Sequence, residues 1–184
     1  RFGASNMHGS LLPKYGARVP VNWAIIHGER ETGATLHRMV EKPDAGEIVA
    51  QQAVPILPDD TAHDVFSKVT WAAELALGKA LPGLMDGTAP HVMPNLTQGS
   101  YFSGRRPEDG RIDWQRNASD VHNLIRAVAP PYPGAFCDIA GHRDAPPSLR
   151  IWCGSTVETA DIKALAPWLD WGFAETKAGL AKAA

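Results

Sequence analysis

The sequence predicts an α/β chain, and three stretches predict it. Gly33 to Val40 and Glu47 to Ile56 carry β-branched side chains in rough two-residue alternation, the pattern of half-buried strands. Lys42-Pro43-Asp44-Ala45-Gly46 separates them, so the pair reads as a hairpin with Asp44 at its turn. Val65, Val69, Ala72, Ala76 and Leu84 then recur at the spacing of one helix face.

The other elements follow from local chemistry. From Asn6, a polar cluster with Gly9 and Pro13 leads into the apolar stretch Val21 to Ile26, which reads as a strand end, a loop and a short helix. Asp60 and Thr61 supply an N-cap for the long helix, Asp64 stands where a capping box wants an acid, and Gly87 marks its end. A polar, proline-bearing stretch runs to Asp113. Ser119 is expected to cap a second helix over 120–129, which Pro130-Pro131 must stop, and Tyr132 to Asp138 is expected to begin a new strand. From Glu158 the text turns alanine-rich and helix-favouring, unlike what precedes it.

At 184 residues the chain suits one well-buried domain, or a domain fragment with a small appendage. Its 44% apolar and 21% charged content belongs to globular proteins rather than disordered ones. A formal charge of −2 provides no broad basic field, which argues against nucleic acid and anionic membranes as partners. No apolar run approaches the roughly 18 residues that span a bilayer, and no signal peptide is legible. Cys137 and Cys153 form no C-x-x-C pair and read as reduced core thiols. These features together predict a soluble, cytoplasmic protein. The first residue, Arg1, runs straight into a chemically dense segment, which reads as a cut.

Asn6, His8 and Asp44 are the candidate catalytic residues. Acyl transfer to an amine needs an oxyanion donor, a proton shuttle and a group that sets the shuttle's state, and one residue type suits each role. On residue types alone a plainer reading stays open: Asn and His beside a turn are commonly local hydrogen-bonders, and Asp before Ala-Gly is commonly a turn residue. His27, His37, His63, His91, His122 and His142 are scattered without metal-ligand spacing, so no metal is expected. The six tryptophans read as core and rim packing. Neither a G-x-x-x-x-G-K-[ST] loop nor a G-x-G-x-x-G turn is present.

Asn6-x-His8-Gly9-Ser10-Leu11-Leu12-Pro13, Gly33-Ala34-Thr35-Leu36-His37 and Asp44-Ala45-Gly46, in that order, resemble the signature of the folate-dependent formyltransferases. Arg18-Val19-Pro20-Val21-Asn22-Trp23, Gly104-Arg105-Arg106-Pro107-Glu108-Asp109 and Pro131-Tyr132-Pro133-Gly134-Ala135-Phe136 look most like the branch acting on UDP-4-amino-4-deoxy-L-arabinose in lipid A modification and polymyxin resistance. The methionyl-tRNA branch, which typically differs at the Val-Pro-Val-Asn-Trp position, is the alternative. The resemblance spans residues 3–157. It implies a partial Rossmann-like formyltransferase core followed by the start of a small, mainly-β C-terminal subdomain. The divisions are 1–98 for the later part of the catalytic domain, 99–157 for a linker and the subdomain's beginning, and 158–184 for an atypical helical tail. The βα units that open the family's domain are missing upstream of Asn6, which leaves an inactive fragment, or a non-catalytic remnant, as a further reading.

By the same resemblance, 10-formyltetrahydrofolate is the co-substrate. Asn6 would hydrogen-bond the developing oxyanion, His8 would move the proton, and Asp44 would orient the ring and favour its protonated form. Ser10, Leu11, Leu12, Pro13, Arg18, Val40, Glu41, Lys42, Pro43 and Asp44 would line the folate site, and Arg105 and Arg106 would clamp the diphosphate of the sugar nucleotide. Small molecules are the expected partners, and a homo-oligomer is left open. One departure stands beside the site: Gly16-Ala17 replaces the family's usual Arg-Gly, so if that glycine needs positive φ, Ala17 strains the loop.

Overall fold

The computed structural model describes residues 3–138, 150–153, 167, 169–171 and 174. A three-stranded sheet forms its centre, in the order β1 (Ser5–His8), β3 (Glu31–Arg38), β4 (Ile48–Pro55). Both pairings are antiparallel. The expected hairpin is therefore present, and a register shift between Leu36 and His37 marks a bulge near its turn. Asp44 sits in that turn with φ 55, a left-handed conformation that Asp tolerates better than most residues. Two residues on, a Cβ on Gly46 would overlap the Arg38 carbonyl, so only glycine lets the turn fold back on β3.

Helix α2 (Ala62–Asp86) covers one face of the sheet. Thr61 and Asp64 form the expected reciprocal capping box, and Gly87 ends the helix at φ 80. Val65, Val69, Ala72, Ala76 and Ala80 point inward, and Leu84 is half-buried. Helix α1 (Pro20–Ile26) starts with proline at its first turn and brings Val21, Ala24 and Ile25 onto Val65, Val69, Ala72 and Ala34. A smaller cluster of Leu36, Val49, Ala80 and Ala89 fills the other end of the sheet–helix interface.

Residues beyond 98 pack directly on this unit. Strand β5 (Tyr101–Phe102) pairs in parallel with β2 (Gly16–Ala17), and helix α3 (Ala118–Ala127) lies against α1. Arg126, almost wholly buried, donates to the carbonyls of Leu57 and Asp60 and so ties α3 to the turn before α2. Burial lowers the pKa of its guanidinium, and the nearby charges of Asp60 and Asp59 counter that shift. Strands β6 (Ala135–Asp138) and β7 (Arg150–Cys153) form an antiparallel pair. Ile112, Val128 and Ala135 make a third cluster beneath β6.

Three expectations need correction. The cap of α3 is Asn117, whose side chain accepts from the Asp120 amide, while the Ser119 hydroxyl donates to that same Asn117 oxygen instead of capping. The helix ends at Ala127, before the prolines, and β6 begins at Ala135, three residues later than Tyr132. Trp71 and Trp114 are exposed, so core packing does not account for them, although Trp23 is half-buried against Phe102. Cys137 is a free thiol. Of the tail from Glu158, residues 167, 169–171 and 174 are helical, and the remainder lies outside the described residues, as does His142.

Candidate active site

The catalytic candidates come from two neighbouring elements. β1 delivers Asn6 and His8 from alternate positions on one face, and the β3–β4 turn delivers Asp44. His8 and Asp44 are nearly buried, with His8 Nδ1 3.6 Å from Asp44 Oδ1. His8 Nε2 lies 2.9 Å from the Tyr15 carbonyl oxygen, which can only accept. The Tyr15 carbonyl fixes a donor at Nε2, and the carboxylate lies on the Nδ1 side.

His37, which is not among the three residues expected to be catalytic, completes the group. It pairs across the strands with Asn6 and is 2% exposed. Its Nδ1 lies 3.0 Å from the Arg38 carbonyl, which fixes a donor there and leaves Nε2 to accept from Asn6 Nδ2 at 3.3 Å. The same Nε2 lies 3.4 Å from Asp44 Oδ1, so one carboxylate oxygen faces two imidazoles. Asn6 Nδ2 carries two hydrogens, and the second remains for another acceptor. The available signal was the two-residue alternation of Gly33-Ala34-Thr35-Leu36-His37, which puts Thr35 and His37 on one face. The cross-strand pairing that brings His37 to Asn6 has no signature in the text.

The other Asp44 oxygen accepts from the Ala17 amide at 2.8 Å. Ala17 adopts φ 72, the positive value anticipated for this position, and Tyr15 (φ 57) and Val19 (φ 47) are left-handed too. For a residue with a Cβ this conformation costs about 1–2 kcal/mol. The carboxylate and the amide that holds it both stand on such residues.

The loop between His8 and Ala17 is fixed from beneath by Thr35. Its hydroxyl donates to the Ser10 carbonyl at 2.6 Å and accepts from the Leu12 amide at 3.1 Å and Gln51 Nε2 at 2.9 Å. The expected folate-lining residues separate here. Ser10 is fully buried, with its hydroxyl 2.7 Å from the Lys14 carbonyl, and Leu12 is in the core. Leu11 and Pro13 line a crevice of about 260 Å³ with Tyr15 and Glu29. The Tyr15 hydroxyl donates to Glu29 at 2.9 Å; burial first, then this bond and the carboxylate's charge, hold the phenol well above its ordinary pKa. Arg18 and Val40 to Pro43 are exposed around Asp44, where the Pro43 carbonyl accepts from the Tyr101 hydroxyl.

Arg105 and Arg106 occupy a different place, the wall of a cavity of about 220 Å³ between α1 and the segment before β6. The Arg105 guanidinium lies over the Trp23 ring, 4.8 Å from its centroid, and donates to the Asp109 carbonyl at 2.6 Å. Burial lowers its pKa, and Asp109 partly restores it. Among the described residues no cluster of His, Cys, Asp and Glu could hold a metal ion, and no helix is long and apolar enough to cross a membrane.

An amide, an imidazole and a carboxylate are gathered at the end of the sheet. The chain belongs to the formyl transferase family: residues 1–81 match the sequence model described as formyl transferase, and residues 105–167 match that of the formyl transferase C-terminal domain. The second match runs past residue 157, the end of the resemblance in the sequence. The mixed α/β architecture with parts of both domains agrees with a partial Rossmann-like core and a small C-terminal subdomain.

Among solved structures, the chain is similar to an N-formyltransferase from Helicobacter canadensis in complex with folinic acid and dTDP-3-aminofucose. The two are 31% identical over 67% of this chain and 46% of the other, with a TM-score of 0.64. WlaRD, a sugar 3N-formyl transferase solved in the presence of dTDP and 5-N-formyl-THF, is 30% identical over 67% of this chain and 45% of its own, with a TM-score of 0.61. A 4-N formyltransferase from Francisella tularensis shares the fold, with 24% identity over 82% and 61% of the two chains and a TM-score of 0.68. The chain thus spans less than half the length of the first two.

Proposed function

We propose that the protein transfers the formyl group of 10-formyltetrahydrofolate to the primary amine of a UDP-linked amino sugar, UDP-4-amino-4-deoxy-L-arabinose, as a cytoplasmic step of lipid A modification that confers polymyxin resistance. The observation that carries the chemistry is the convergence of His8 and His37 on one Asp44 oxygen, at 3.6 Å and 3.4 Å, with Asn6 bonded to His37. The relatives solved with folate derivatives and with a dTDP-sugar or dTDP support the donor and the nucleotide-linked acceptor. The Val19-Pro20-Val21-Asn22-Trp23 and Arg105-Arg106-Pro107-Glu108-Asp109 segments support the particular sugar. The methionyl-tRNA alternative gains nothing from either relative at 30% identity or above.

In this reading the amine nitrogen attacks the formyl carbon and the carbonyl electrons move to oxygen, where the second Asn6 amide hydrogen meets the developing charge. His8, oriented by Asp44, takes the proton from the attacking nitrogen and returns it to the folate nitrogen as the carbon–nitrogen bond to folate breaks. Asn6→Ala therefore lowers turnover more than binding. Leu11, Pro13, Arg18 and Val40 to Asp44 border the folate, with Ser10 and Leu12 shaping that border from inside. Arg105 and Arg106 hold the diphosphate. Residues 1–98 form the catalytic portion, 99–157 the linker and subdomain, and 158–184 the tail.

Calorimetric titration of a stable folate analogue tests the donor half, first on the 184-residue chain and then with the upstream half of the Helicobacter canadensis enzyme added. Binding in either setting supports the reading. Silence in both contradicts it and favours a non-catalytic role.

A further inference from the structure

Ser100 lies far along the chain from Asn6, His8 and Asp44, yet each of its polar groups bonds the loop that follows His8. Its amide donates to the Pro13 carbonyl at 3.2 Å, its carbonyl accepts from the Gly16 amide at 2.7 Å, and its hydroxyl oxygen accepts from the Tyr15 amide at 2.9 Å. Tyr15 stands between the last two contacts at φ 57, a left-handed conformation that disfavours any residue with a Cβ. The hydroxyl holds the Lys14–Tyr15 peptide and the carbonyl holds the Tyr15–Gly16 peptide, so one serine fixes both planes beside the strained residue. Tyr101 follows, with its ring so close over Gly16 that a Cβ there would lie 2.9 Å from Tyr101 Cε1. Its hydroxyl donates to the Pro43 carbonyl at 3.2 Å, in the turn that carries Asp44.

The Tyr15–Gly16 peptide is the one that faces His8. Its carbonyl oxygen lies 2.9 Å from Nε2, while Asp44 Oδ1 lies 3.6 Å from Nδ1. A neutral imidazole has one N–H for these two acceptors, so the placement of the carbonyl decides which nitrogen carries it. We propose that Ser100 is a positioning residue for formyl transfer, its hydroxyl holding Tyr15 left-handed and thereby aiming the Tyr15 carbonyl at His8 Nε2. This rests on the proton-moving role of His8 proposed above and brings a residue from beyond position 98 into it. Without the hydroxyl, the Tyr15 amide loses its acceptor and the strained residue is free to relax. The carbonyl then turns from Nε2, and the ring proton passes to Nδ1, where the Asp44 carboxylate is the remaining acceptor.

The ring nitrogens of His8 and His37 are read by 15N NMR at alkaline pH on the 184-residue chain, as the parent, Ser100→Ala and Ser100→Thr. The parent and the threonine variant, which keeps the hydroxyl, are expected to carry the His8 proton at Nε2, and the alanine variant to show a mixture of the two tautomers. His37, whose Nδ1 is fixed by the Arg38 carbonyl, should be the same in all three. In a formyl-transfer assay with the upstream half of the Helicobacter canadensis enzyme added, Ser100→Ala should lower kcat at least about tenfold with KM little changed, and Ser100→Thr should restore it. Unchanged His8 nitrogens in Ser100→Ala, or His8 and His37 shifting together, overturns the positioning role, as does unchanged turnover in a variant whose His8 ring has shifted. A parent chain that transfers no formyl group counts against the function proposed above, and the ring nitrogens then decide the placement alone.

Discussion

Replacing Thr35 with valine removes one hydroxyl and keeps the shape of the side chain. In the structure that hydroxyl donates to the Ser10 carbonyl, accepts from the Leu12 amide and accepts from Gln51, all in the interior beneath the loop that follows His8. Gln51 Nε2 keeps a second bond, to the Leu12 carbonyl at 2.8 Å, so two backbone groups lose their side-chain partner. Each buried group left unpaired costs about 1–3 kcal/mol, which puts the loss near 2–6 kcal/mol. That is a large share of the roughly 5–15 kcal/mol by which domains are stable. Thr35→Ser keeps the oxygen and loses one buried methyl, a cost of about 1 kcal/mol. Urea unfolding of both variants reads the difference as a shift in midpoint at unchanged slope. A valine variant no less stable than the serine variant would refute the idea that this hydroxyl holds the loop.

Three further outcomes are expected. His37→Phe keeps a ring of similar size but removes the contacts to Asn6 and Asp44, and should lower turnover on the order of 10- to 100-fold with folate affinity little changed; equal losses in both would point to general damage. Ala17→Gly relieves about 1–2 kcal/mol of left-handed strain against about 0.4–1 kcal/mol of added unfolded-chain freedom, so thermal stability should hold or rise, and a clear fall contradicts the strain. The raised pKa of Tyr15 makes the folded chain retain a proton that the unfolded chain releases near pH 10. Stability is then intact below about pH 10 and declines as pH rises past it, a decline that Tyr15→Phe should lessen; identical alkaline arms in the two melting series would contradict this.

The hairpin and the long helix were legible because burial on one side imposes a two-residue period on strands and a period near 3.6 on helices. Val65, Val69, Ala72 and Ala76 needed no tertiary information to be placed inward. The cap of α3 was harder, since Asn117 and Ser119 are both cap-forming types, and the choice depends on which oxygen reaches the Asp120 amide. The exposed tryptophans show that residue type alone does not fix burial. At the site, Asn6, His8 and Asp44 were named from residue type and resemblance, and the structure brings them together. What holds them was hidden, because the Tyr15 carbonyl and the Ala17 amide are backbone groups that every residue owns. His37 entered through strand pairing, and Tyr101 reaches the Pro43 carbonyl across 58 residues of sequence.

Formyl transfer itself tests the central claim most directly. The chain, supplied with the upstream half of the Helicobacter canadensis enzyme, is incubated with isotopically labelled 10-formyltetrahydrofolate and UDP-4-amino-4-deoxy-L-arabinose, and the sugar nucleotide is analysed by mass spectrometry. Label on the sugar nitrogen with the parent sequence, and none with His8→Ala, is the result predicted here. Equal label with both chains, or none with the parent while a folate analogue binds, would contradict the account.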